Sequence, residues 1–118
     1  MQKCWFGNLE GTLQKNCYKS NIFGVYNDFE GIKELLKQFN YVGFALANNH
    51  IFDKGSYSEI KKPIEQLNVK FCGVGNDLIQ ACQPLVLYEC NTEIVILNLG
   101  WEVFNVLLQK NTKKGLLH

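Results

Sequence analysis

Tyr41-Val42-Gly43-Phe44-Ala45-Leu46-Ala47-Asn48-Asn49-His50 is the stretch on which the reading of this chain turns. Residues 41–47 form a nearly continuous apolar run without the polar alternation of a half-exposed sheet, which predicts a strand of a parallel sheet buried on both faces. The run stops at two amides and an imidazole. A polar loop therefore follows the strand's C-terminal end, where ligands gather in open α/β sheets.

Upstream, Phe29, Ile32, Leu35, Leu36 and Phe39 recur at helical spacing, with Asp28 placed to cap the helix and Lys33 and Lys37 on the outer face. A helix over 29–39 follows. Residues 4–8 are a short apolar run closed by Gly7 and Asn8, a strand that delivers Asn8 and Glu10 to a loop. Residues 12–26 read as irregular.

Downstream, Ser56-Tyr57-Ser58-Glu59 fits a capping box ahead of Ile60, Ile64 and Leu67, while Pro63 should kink that helix or delay its start. Residues 69–73 read as a strand, and Gly73-Val74-Gly75 as a connection that needs flexible backbone. A helical turn over 77–82 must end before Pro84. Residues 85–90 and 93–99 are β-rich and split by Asn91-Thr92, a hairpin whose second strand is the most hydrophobic piece of the chain. Residues 101–108 fit a helix or a loop, and the polar tail 109–115 marks an edge.

The order predicts an α/β fold: a mostly parallel sheet with flanking helices and a C-terminal antiparallel hairpin. At 118 residues, 47% of them hydrophobic and 19% charged, the whole of 1–118 fits one domain with a core of its own.

A formal net charge of +1 from scattered lysines leaves no electrostatic footprint for nucleic acid. No apolar run reaches the roughly 18 residues of a membrane span. No signal-peptide stretch follows Met1, which points to the cytoplasm if the chain is full length. The five cysteines, odd in number and without a C-x-x-C pair, read as reduced and mostly buried small hydrophobes rather than as a disulfide framework or zinc knuckle.

Two polar clusters, Asn8 with Glu10 and Asn48, Asn49, His50 with Asp53, each follow a predicted strand, so parallel strands bring them to one sheet edge. A carboxylate, an amide oxygen and an imidazole suit a divalent cation such as Mg²⁺, Mn²⁺ or Zn²⁺, with a phosphoryl oxygen to complete the shell. The same residues also fit plain turn chemistry: asparagine tolerates left-handed backbone, and Asp53-Lys54-Gly55 makes a good turn into the capped helix. Gly73-Val74-Gly75 lacks the third glycine of a dinucleotide fingerprint.

Asn8-Leu9-Glu10-Gly11, Leu46-Ala47-Asn48-Asn49-His50 with Asp53 and Gly55, and Gly73-Val74-Gly75 with Ala81 and Pro84 together resemble the CapA-like family of capsule and poly-γ-glutamate biosynthesis proteins. The likeness runs from about residue 5 to residue 100. That family is similar to calcineurin-like metallophosphoesterases, so the resemblance implies part of a metallophosphoesterase-like sandwich, metal-dependent hydrolysis of a phosphoester, and a divalent cation (Mn, Zn or Mg). Carried across, Glu10 and Asn49 would be metal ligands, His50 the catalytic group at the leaving oxygen, and Asn8, Asn48 and Asp53 substrate or supporting residues. The resemblance also implies a cell-envelope setting.

The family pattern places a strand with a metal-binding aspartate before the Asn-Leu-Glu loop and histidine motifs after the last strand, and the chain carries neither. The alternative is a non-catalytic module that binds an anionic polymer or assembles with partner proteins. Missing neighbour strands would also leave open sheet edges, a route to a homo-oligomer.

Overall fold

A computed structural model describes residues 3–15, 24–53, 55–100 and 115–116. Cys17, Lys54 and His118, the segment 101–108 and all of the polar tail but Gly115 lie outside the described residues.

The central sheet is parallel and three-stranded, with β4 (Tyr41–Ala45) between β1 (Trp5–Asn8) and β5 (Lys70–Cys72). Each strand is a residue or two shorter than its apolar run, because residues 46–47 leave the ladder after Leu46 N–H donates to the Cys72 carbonyl at 3.0 Å. Helix α1 (Phe29–Gln38) starts where its cap predicts, with an Asp28 carboxylate oxygen 2.8 Å from the Gly31 N–H. The helical pattern departs at two positions: Leu35 is exposed on the helix, and Phe39 is extended and exposed, its ring meeting Trp5 edge-on at 5.7 Å.

Helix α2 (Tyr57–Gln66) carries the reciprocal capping box, in which the Ser56 backbone N–H donates to Glu59 Oε2 at 2.7 Å. Pro63 lies inside it and does not delay its start, since the box fixes the first turn before the missing N–H matters.

At the two ends of 12–26, the stretch read as irregular, two short strands pair in parallel: β2 (Thr12–Gln14) and β3 (Tyr26–Asp28), which begins at Tyr26 and runs on to Asp28. Short pairings of this kind carry no periodicity for a sequence reading to detect. After β5 come β6 (Val74–Gly75), the single turn α3 (Leu78–Ala81) ahead of Pro84, and the hairpin of β7 (Leu85–Glu89) with β8 (Thr92–Ile96). Cys90 and Asn91 form the hairpin turn with φ of 51° and 59°, one residue earlier than the predicted split. Such a double left-handed turn matches the twist of paired strands. Residues 115–116 form β9 (Gly115–Leu116), antiparallel to β6.

The sheet is covered on both faces. Phe29 from α1 and Tyr57, Ile60 and Ile64 from α2 pack with Phe44, Leu46 and Ile51 in the main core. Leu85 and Leu87 of the hairpin close over Cys72, Phe6 and Val42. Both helices and the hairpin thus pack around the strands whose C-terminal ends carry the polar loops. Of the four described cysteines only Cys72 is buried; Cys4 and Cys82 are intermediate and Cys90 is exposed on its turn, so burial is not the general cysteine environment. Among the described residues no helix is long and apolar enough to cross a membrane.

Candidate functional site

The register of β1 against β4 sets Asn8 beside Ala45, and Leu9 N–H donates to the Ala45 carbonyl at 3.1 Å. This pairing carries the two polar loops out of the sheet side by side. Asn48 then laces them: its Nδ2 donates to the Leu9 carbonyl at 2.9 Å and lies 3.3 Å from Asn8 Oδ1, while its Oδ1 accepts from the His50 backbone N–H at 3.1 Å. Turn chemistry and site assembly are here one arrangement, since the same amide closes the 48–50 turn and ties it to the Asn8-Leu9-Glu10 loop.

His50 is gripped from one side. Its Nδ1 lies 2.7 Å from Asp53 Oδ2, and because an ionised carboxylate only accepts, that ring nitrogen carries the proton. Asp53 is itself fixed by the Val25 backbone N–H at 2.9 Å, so the 50–53 loop and the segment at Val25 together determine the ring's orientation. The other ring nitrogen, Nε2, faces Glu10 Oε1 at 3.6 Å, too long for a hydrogen bond. Glu10 is positioned in turn through its backbone, whose carbonyl accepts from Asn27 Nδ2 at 2.7 Å.

A cation bound by nitrogen and oxygen at roughly 2.0–2.2 Å holds adjacent ligand atoms about 3.4 Å apart. The Glu10 to His50 separation of 3.6 Å is close to that span, and the protonation of Nδ1 leaves the lone pair on Nε2, so these two side chains fit a divalent ion as a pair of donors. They do not close a shell by themselves: among the described residues no group of three histidine, cysteine, aspartate or glutamate side chains is arranged to hold a metal. Asn49 is exposed next to His50. Glu10, His50 and Asp53 are thus brought together, Asn8 and Asn48 support them, and Asn49 stands at the rim.

One residue at the base of the site escaped the sequence reading. Asn98, just after β8, accepts the Ala47 backbone N–H at 2.5 Å through its Oδ1 and so pins the start of the 48–50 loop from the hairpin side. Gly73 makes room for it: its φ is +93°, and a Cβ there would lie 2.3 Å from Asn98 Oδ1. The signal available was a lone amide within the apolar stretch Ile96-Leu97-Asn98-Leu99.

Comparison with known proteins bears on the same residues. A family model described as bacterial capsule synthesis protein PGA_cap matches residues 2–116, which includes both polar loops, the hairpin and Asn98. Searches of curated proteins and of solved structures found no match.

Proposed function

The chain belongs to the family of bacterial capsule synthesis proteins, and from that membership we propose that its Glu10–His50 loops handle a phosphoester or an anionic capsule polymer such as poly-γ-glutamate at a divalent cation. The observation that carries the proposal is the 3.6 Å approach of His50 Nε2 to Glu10 Oε1, with Asp53 holding the opposite ring nitrogen at 2.7 Å. Glu10 and His50 would hold the ion, with Asn49 beside them. Such an ion supplies charge neutralisation for a phosphoryl or carboxylate oxygen and a bound water of lowered pKa.

The chain's own residues supply orientation. Asp53 keeps His50 in the Nδ1-protonated tautomer, so that Nε2 can coordinate or accept a proton but cannot donate one while the imidazole is neutral. When the ring is protonated, Nε2 becomes a donor beside Glu10 and can protonate a leaving oxygen. Asn48 holds the two loops in register so that these alternatives are presented to one ligand.

Assay of the chain with Mn²⁺ against a phosphomonoester and a phosphodiester tests the catalytic form. Metal-dependent release of product, lost in His50→Gln, is the expected result. A second reading, a non-catalytic module that binds the polymer, is favoured by the donor set, which stops at two charged or ionisable ligands among the described residues. No hydrolysis together with Mn²⁺-dependent retention on poly-γ-glutamate would decide for it, and neither activity would refute both.

A further inference from the structure

The hairpin presents an edge unlike a protected one. In a two-residue hairpin the closing pair, Glu89 with Thr92, shares hydrogen bonds, and so do Leu87 with Ile94 and Leu85 with Ile96. The backbone groups of Glu93 and Val95 therefore point away from β7, and among the described residues no further strand pairs there. Exposed strand edges are ordinarily blunted by lysine, proline or a bulge. β8 has none of these: Glu93 is the only charged residue in 90–100, and Ile94, Val95 and Leu97 are 42%, 55% and 61% exposed. On the outer face Tyr88, 72% exposed, stands opposite Glu93 and extends the apolar surface beyond Val95.

We propose that β8 pairs antiparallel with β8 of a second copy of this chain, about a two-fold axis at Val95, to give a continuous sheet in the order β7-β8-β8-β7. The occupant follows from self-complementarity. With the axis at Val95, each Ile94 faces Ile96 and each Glu93 faces Leu97, so no like charges are opposed. The two carboxylates lie four residues apart along the strand, roughly 13 Å. The backbone groups aimed outward from Glu93 and Val95 then meet their counterparts, and a two-stranded ribbon that is marginal by itself becomes four-stranded. The interface is isologous and closes at two copies. It lies on the hairpin and is independent of the metal chemistry proposed for Glu10 and His50.

Light scattering on the whole chain over a range of concentrations tests it, with circular dichroism to confirm folding. The expected species has twice the 13.5 kDa chain mass at high concentration and dissociates on dilution, and Val95→Lys shifts it to a folded 13.5 kDa monomer. Should Val95→Lys not fold, Val95→Cys in a Cys90→Ser background decides, because a paired strand brings the two residues 95 to about 5.5 Å between Cα atoms, within disulfide reach. Rapid cross-linking through residue 95 is expected. A wild-type monomer at every concentration, as pairing of β8 within its own chain or burial by another protein would give, overturns the proposal. So does a dimer that Val95→Lys leaves intact, or failure of Val95→Cys to cross-link.

Discussion

Gly73→Ala is the substitution that most sharply tests how the site loop is held. Gly73 has φ of +93°, where a residue with a Cβ costs on the order of 1–2 kcal/mol. The new methyl would lie 2.3 Å from Asn98 Oδ1 and 2.9 Å from both Ala47 N and Ala47 Cβ, so Asn98 must move and its bond to the Ala47 N–H breaks. Leaving a donor near the buried start of the loop unsatisfied costs about 1–3 kcal/mol more. Urea unfolding should therefore register a loss of about 2–5 kcal/mol, a large part of the roughly 5–15 kcal/mol that holds a domain together. Asn98→Ala breaks the same bond, so the two changes made together should cost clearly less than their sum. The control is Gly31→Ala inside α1, where the added methyl meets nothing closer than Asp28 Oδ2 at 3.4 Å and should stabilise by about 0.5–1 kcal/mol. A Gly73→Ala loss below about 0.5 kcal/mol, or strict additivity with Asn98→Ala, would refute the reasoning.

Other consequences can be measured alongside. Ile60→Ala removes one of the four largest fully buried side chains among the described residues and should cost about 2–5 kcal/mol by the same urea titration. Thr12→Val should raise the unfolding midpoint by about 1 kcal/mol equivalent, because the Thr12 hydroxyl is buried and has no partner among the described residues. Burial pushes the Cys72 thiol above its ordinary range, so alkylation of Cys72 should lag far behind that of exposed Cys90 at neutral pH and rise only in alkali. The sign for stability follows: the neutral thiol favoured by the fold contributes fully below the ordinary thiol range and its contribution is lost as pH rises through the raised value. Asp53→Asn should free the His50 ring and weaken any divalent-ion binding roughly 10–100-fold, read by calorimetry, with far-UV dichroism unchanged.

The parts of this architecture that local chemistry specifies were legible from residue order. Asp28 and the Ser56–Glu59 box placed both helix starts, and the 41–47 run placed the central strand, because caps and apolar runs act within a few residues. The approach of Glu10 to His50 was legible through topology, since parallel strands send successive loops to one edge, and through the family resemblance, but not through local chemistry. Asn98 and the Val25 N–H were not legible, since each reaches the site across a long sequence separation from an element with no motif of its own. Cysteine burial was misjudged for a similar reason: hydrophobic character describes a thiol's preference, while the position of Cys90 on a tight turn decides its exposure. Likewise, the apolar character of β8 was visible in sequence, but whether neighbours cover it was not.

The central claim is that Glu10 and His50 form one ligand-binding edge, and Mn²⁺ titration of the isotope-labelled chain followed by NMR tests it directly, because paramagnetic broadening reports even weak binding at the residues nearest the ion. Broadening centred on Glu10, Asn49 and His50, and abolished by Glu10→Gln, is the predicted result. Broadening that is absent, that centres on other carboxylates, or that survives Glu10→Gln unchanged would contradict the account.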